Sequence, residues 1–421
     1  FNSARGQHSE ALQQCRKALR FWHLSERPEE LWRSYDQISI LYSKTGRTKS
    51  AIYFGKQAVN TLQMIRNANS EVKERYRKTY IGERMDVYRR LANLLIESGR
   101  LLEAEQVLGM LKEEEVFDYI RSTQNGIAGD TLASLSKDES EAAQNYIDIT
   151  NRLVHLMKEY RRLHELAQSE RTTEDQKSIK ALEKQLEYAE RQFDQFVGRI
   201  DEFFIQEGGD RSIVLELETL TPLKETLAQL DTRVAALHYL SMPDKLHIIF
   251  SGSDPDTPSF HRDVDITRSE LARRIHEFRV QLMDPASDIV SKAGELHQYL
   301  LQPVEEKLEE LQVRTLLLYL DRELRYLPFA ALHDGETYVA QKYENVLYTP
   351  AVKQKLVEGI DNPWLVAGLG VSKEGSGFSA LPAVVREVDG IVEESSQDPY
   401  GVLPGITRSV SYTHLRAHET A

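Results

Sequence analysis

Motifs whose residue types and spacing could do covalent or metal chemistry are few in this chain and far apart in its sequence. Its one cysteine, Cys15, lies in ALQQCRKALRFW, spaced from Leu12 and Leu19 so that it falls beside the apolar stripe of a helix. A thiol there reads as a small buried hydrophobe, because nucleophilic attack needs an accessible thiolate. His333 stands next to Asp334-Gly335, a turn signal, and reads as an exposed turn histidine. Gly368-Leu369-Gly370 follows an apolar run as a dinucleotide-binding turn would. The third glycine of that fingerprint falls on Lys373, Gly375 and Gly377 read as a flexible loop, and no GKS or GKT phosphate loop occurs. Arg386 and Glu387 fit either a functional pair or the solvated start of a helix. His414 and His418 form H-x-x-x-H, a spacing that puts two imidazoles on one helix face as a zinc pair would, but no Glu sits between them and no third ligand is evident. These residues assign no catalytic group, no cofactor-binding group and no metal ligand.

The elements that must position any site fall into three blocks. In the first, over 1–115, Gly6-Gln7 precedes Ala11, Gly46-Arg47 precedes Ala51, and Gly99-Arg100 precedes Ala104, each Gly five positions before its Ala. Amphipathic runs at 31–44 and 85–98 lead into the second and third glycines, and partner runs at 49–64 and 103–111 follow them. A Gly that ends one helix and a small Ala where the next packs close is the chemistry of a helical hairpin. The glycines are 40 and 53 positions apart, against about 34 for a tetratricopeptide repeat. The pattern therefore resembles longer variants of that repeat, with an insertion around 68–80. Such repeats stack into a groove that binds peptides or helices, or they cap and support the rest of the chain. Which residues line the groove does not follow from the sequence.

The second block, 140–207, carries two heptad seams: Tyr146, Ile149, Leu153, Leu156, Tyr160, Leu163, then Ile179, Leu182, Leu186, Ala189, Phe193, Phe196, Ile200, Phe203. The polar stretch QSERTTED between them turns the chain back, giving an antiparallel helical hairpin. It would couple the repeats rigidly to the C-terminal block, or self-associate through its seam. After Gly208-Gly209-Asp210 the pattern changes. Apolar runs at 233–239 and 245–251 around Met242-Pro243-Asp244 predict a β-hairpin. Further strands are expected at 262–266, 315–320, 345–348 and 364–369, with helices at 269–283 and 286–311. Strands alternating with helices argue for a mainly parallel α/β sheet.

Composition sets the outer limits. A length of 421 residues allows two or three domains, and 41% hydrophobic with 28% charged residues fits an ordered, soluble chain. No apolar run approaches the ~18 residues of a membrane span. The formal charge of −13 disfavours a nucleic-acid backbone as partner. A single cysteine excludes an intrachain disulfide framework and suits a reducing cytoplasm. The sequence opens on Phe1, inside helical patterning, as a fragment would.

The third block, 230–410, resembles a known family in its ordered series of motifs. LLLYLDRELRYLPFAALHDGETYVAQKYENVLYTPA is followed by PWLVAGLGVS and then FSALPAVVREVDGIV. Preceded by a β-hairpin and two helices, that succession is similar to the N-terminal portion of the CHAT domain, a caspase-like module often fused to tetratricopeptide repeats. Leu327-Pro328-Phe329 and Leu332 match the close of the family's opening strand. Leu381-Pro382 with Arg386-Glu387-Val388 matches the start of its next crossover helix.

The resemblance implies a multidomain chain: all-α repeats and a helical hairpin, then an incomplete α/β caspase-like domain. It implies a parent protein that is a bacterial cysteine peptidase, with a His and a Cys at the ends of successive strands. His would assist thiolate formation and protonate the leaving amine, and backbone N–H groups would stabilise the oxyanion. No cysteine follows Glu394, so this chain as given is expected to be inactive. Thr413-His414 is the weak stand-in for the family's Thr-His; against it, SYTHLRAHET over 411–420 reads as a non-native tail. The alternative is a non-catalytic scaffold with a degenerate CHAT domain. In either reading a protein or peptide partner binds the repeat groove, with no cofactor, nucleic acid or membrane.

Overall fold

The computed structural model describes residues 2–25, 27–67, 81–119, 132–166, 171–206, 233–254, 257–284, 286–348, 365–368 and 407–410, with positions 223, 227 and 383. The insertion expected around 68–80, the element at Leu381–Val388 and the tail with His414 and His418 lie outside the described residues.

Five helices build the N-terminal region: α1 (Asn2–Leu24), α2 (Pro28–Lys44), α3 (Thr48–Asn67), α4 (Ile81–Glu97) and α5 (Leu101–Tyr119). Two hairpins, α2/α3 and α4/α5, turn at Gly46 and Gly99, whose φ values of 73° and 71° lie in the left-handed region. At each, the glycine N–H and the following arginine N–H return to carbonyls of the preceding helix: Gly46 to Ser43 and Arg47 to Tyr42, Gly99 to Ile96 and Arg100 to Leu95. That is the Schellman arrangement, which a side chain at the glycine would strain. Ala51 and Ala104 are fully buried in the helices on the far side of each turn. The first of the three expected glycines behaves differently: α1 runs unbroken through Gly6. Without a proline or a left-handed residue there, the helix simply continues.

α6 (Lys137–His164) and α7 (Thr173–Gly198) form the expected hairpin, each opened by a reciprocal capping box, Ser136 with Glu139 and Thr172 with Asp175. Tyr146, Leu153, Leu156, Leu186, Ala189 and Phe193 from their seams join one core with the repeats. Short α8 (Ile200–Gln206) adds Ile200 and Phe204. Their apolar seam is thus packed within the chain.

The sheet follows the order β3-β2-β1-β4-β5, from β1 (Val234–Ser241), β2 (Leu246–Gly252), β3 (Phe260–Val264), β4 (Thr315–Tyr319) and β5 (Glu344–Leu347). It is mixed rather than mainly parallel. β1–β2 and β2–β3 are antiparallel, joined by short links that cannot cross over, while β1–β4 and β4–β5 are parallel. β4, read from its sequence as an opening strand, is therefore the fourth in chain order and is flanked by β1 and β5. The helix expected over 286–311 is two helices, α10 (Val290–Leu300) and α11 (Gln302–Glu310), after α9 (Arg268–Leu282). Pro303 at the start of α11 lacks the N–H that would continue α10.

Alternation along the strands sends side chains to two different cores. Ala235, Leu237, Tyr239, Ile248, Phe250, Leu316 and Leu318 pack under α9–α11. The opposite parity faces elsewhere: Leu240 and Ile249 join the repeat core, and Ala236, Leu317 and Tyr319 join a small third cluster with Leu227. Burial on both faces explains why β1 and β2 read as continuous apolar runs. Residues 351–421 form a separate unit, in which β6 (Leu365–Gly368) and β7 (Thr407–Val410) pair in parallel, Leu365 opposite Thr407. Among the described residues no helix is long and apolar enough to cross a membrane.

Candidate functional site: a clamped groove and a repeat–sheet junction

Between α3 and α5 an extended stretch, Leu132–Ser136, leads into α6. It is held by side-chain amides on both backbone edges. Asn60 on α3 accepts from the Ala133 N–H through Oδ1 at 2.7 Å and donates through Nδ2 to the Ala133 carbonyl at 3.4 Å. From the other side Gln106 on α5 donates to the Leu132 carbonyl at 3.1 Å and accepts from the Ser134 N–H at 3.0 Å. In an extended chain, one residue's N–H and C=O point to one edge, and its neighbours' C=O and N–H point to the other. Two amides therefore satisfy all four groups as neighbouring β-strands would. Side chains contribute little: Ala133 is buried, while Leu132 is 49% exposed.

Beside this stretch lies a buried charge quartet. Lys56 of α3 meets Glu103 of α5, the Ser134 carbonyl and Glu139 of α6, the last at 2.6 Å. Arg100 holds Glu103 through two bonds, 2.8 and 2.7 Å, and reaches Glu139 at 2.7 Å. Burial alone would raise the Glu139 carboxyl, but Lys56 and Arg100 outweigh it and hold it at about 2. Glu139 also accepts from the Ser136 N–H at 2.9 Å, so one carboxylate caps α6 and anchors it to the repeats.

The second arrangement joins α4 and α5 to the sheet. Arg89 donates from Nε to Asp321 at 2.9 Å and pairs with Glu115 and Asp86. Asp321 in turn accepts from the Ser241 N–H at 3.3 Å, fixing the ends of β1 and β4 together. Lys112 donates to the Leu320 carbonyl and to Glu115. Arg322, in the left-handed region at φ 50°, binds Asp86. A non-glycine residue in that region is uncommon and is held only when its surroundings over-determine it. On the sheet face, His247 is bonded to Asp263 across the β2–β3 pair and to Asn93 of α4, each at 2.7 Å. Ser251 donates to Glu105 of α5. Beneath the junction His238 stacks on Tyr319 at 3.7 Å between ring centroids, and Tyr319 on Tyr348 at 3.9 Å. Burial, then the nearby Lys112 ammonium, lower the His238 imidazole to about 3.

Cys15 and His333, the two singled-out residues described within 1–350, are not brought together. Cys15 is half-buried in α1 against the repeat core, its thiol pushed up by burial. His333 is buried rather than exposed: its Nδ1 accepts from the Gly335 N–H at 2.9 Å and its ring meets Tyr338 edge-on. The turn folds back as a bridge between His333 and Tyr338, which covers the imidazole. Gly368 ends β6; Gly370, Arg386 and Glu387 lie outside the described residues. Among the described residues no cluster of three or more His, Cys, Asp or Glu could hold a metal ion. The sequence missed Asn60, Gln106 and Asp321. Amides on a helix carry no period that marks them, and an aspartate after a strand reads as a solvated turn.

No curated protein and no solved structure matches the chain. A protein-family model described as the CHAT domain matches residues 290–395, from the start of α10 through α11, β4, the Asp321 turn and β5 and on past β6. Upstream of it, the glycine-ended hairpins α2/α3 and α4/α5 fit tetratricopeptide-like repeats. The chain therefore carries a CHAT domain, a caspase-like module linked to peptidases, behind a helical N-terminal region.

Proposed function

We propose that the helical repeats dock a protein or peptide segment and couple it to the CHAT module, in a bacterial parent protein that acts as a cysteine endopeptidase. The observation that supports coupling is the buried junction in which Arg89 and Lys112 of the last repeat hairpin hold Asp321 and the Leu320 carbonyl at the end of β4. Force or displacement on α4 and α5 passes directly to a central strand of the sheet. The peptidase dyad would rest on a His and a Cys that follow the helix expected over 387–394, each after an apolar strand, and this sequence supplies no cysteine there. The test uses the protein made from the complete gene. Partner-dependent cleavage of a peptide library, lost in Asp321→Asn while partner binding persists, is the expected result. A complete gene without that His and Cys, or a protein that cleaves nothing with its partner bound, overturns the peptidase reading.

A second reading, a non-catalytic interaction scaffold, is favoured by the position of the chain's one cysteine in α1, within the repeats. It requires that the complete protein bind its partner and hydrolyse nothing.

A further inference from the structure

We infer that the cleft between α3 and α5 is a peptide-docking groove, filled in this chain by its own segment Leu132–Ser136 acting as a built-in ligand. Its external ligand would be an extended peptide that carries one small residue and, toward its C-terminus, a carboxylate. The inference deepens the reading of the repeats as a docking module and rests on it.

Three observations point the same way. The segment is extended and is gripped on both backbone edges by Asn60 and Gln106. Amides that satisfy main-chain groups accept any sequence with the right backbone, as an added strand does. Only Ala133 enters the core, at 3% exposure, so the side-chain requirement at that point is smallness. The Glu139 carboxylate sits between Lys56 and Arg100 in a pocket built from both repeat hairpins. Withdrawn, it would leave two buried cations facing only Glu103, and an incoming carboxylate restores the balance.

Occupancy in cis sets the strength required of a competitor. A tethered segment sees its site at an effective concentration in the millimolar range, so an isolated peptide competes only at comparable concentration. A partner with further contacts would displace it more readily. Such displacement frees the start of α6 and so reports groove occupancy to the hairpin.

The probe is the synthetic peptide LASLSKDESE, which copies Leu132–Glu141, added at millimolar concentration to the full chain. Amide hydrogen exchange at Ala133 and Ser134 should quicken at least tenfold. In the variant Ala133→Arg, whose side chain does not fit the buried position, the labelled peptide should bind at least tenfold more tightly than to the unsubstituted chain. Adding Asn60→Leu should abolish that gain, and peptides with Arg at the alanine or Gln at the position of Glu139 should bind at least tenfold more weakly. Binding by folded Ala133→Arg supports the inference even where the unsubstituted chain resists exchange, because the tether then holds the segment. Unchanged exchange together with no binding by folded Ala133→Arg overturns it. If that variant does not fold, unchanged exchange in the unsubstituted chain overturns it alone. Asn60→Leu leaves the Arg89–Asp321 junction intact and Asp321→Asn leaves the groove intact, so this inference and the coupling it rests on fail separately.

Discussion

Arg89 and Asp321 stand 232 positions apart and close on each other in a buried ion pair, Nη2 to Oδ1 at 2.8 Å, that joins helix α4 to the end of strand β4. Neither side chain is more than a few per cent exposed. Breaking a buried pair strands the remaining charge without water, which costs more than the pair itself contributes.

Asp321→Ala should therefore lower stability by roughly 3 kcal/mol, the lower end for a broken buried pair, because Glu115 and Asp86 still face Arg89. Replacing both partners, Arg89→Met with Asp321→Leu, should cost clearly less than the sum of the single changes. Urea denaturation of the two single variants and the double variant measures the coupling. Additive losses would show that the pair does not act as a unit.

Acid should destabilise the protein well above the carboxylate range. Burial lowers His238 to about 3 and His23 to about 4, from 6.5. Both imidazoles are neutral in the fold and charged in the unfolded chain below pH 6.5. The unfolded state binds more protons there, so stability falls as pH drops from 6.5 toward about 4 for His23 and about 3 for His238. His238→Phe should flatten the slope between pH 6 and 4 in denaturation midpoints, and an unaltered slope would count against the assignment.

Glu139 works with the opposite sign. Its folded value is depressed from 4.5 to about 2, so its contribution is complete above pH 4.5 and fades as pH falls through about 2. Glu139→Gln removes the charge facing Lys56 and Arg100 and weakens the cap of α6. It should cost roughly 3 kcal/mol at pH 7. The gap to the unsubstituted protein should narrow toward pH 2, as read by paired denaturation curves at pH 7 and pH 3.

Cys15 should be slow to react. Its thiol is half-buried and pushed up by burial, so little thiolate exists at neutral pH. Labelling by a thiol reagent in native buffer should be at least about tenfold slower than in denaturant, and the chain should hydrolyse no peptide substrate. Rapid, selective labelling at neutral pH would mark Cys15 as an activated thiol.

The sequence by itself determined the local elements. The heptad seams from Tyr146 and from Ile179, the glycine-ended hairpins at Gly46 and Gly99, and the β1–β2 hairpin were legible because each depends on neighbours within a few residues. So was the likeness carried by the run from Leu316 to Leu332, which falls inside the matched span. Only the tertiary structure decided strand order, the break before Pro303, and the burial of His333 and Asp321. It alone showed that Asn60 and Gln106 close on a segment that begins at Leu132. The physical reason is range. Periodicity records which face of an element is apolar, whereas a buried polar group is explained only by the partner that satisfies it, and the partners that Asn60, Gln106 and Asp321 hold lie from 26 to 232 positions away.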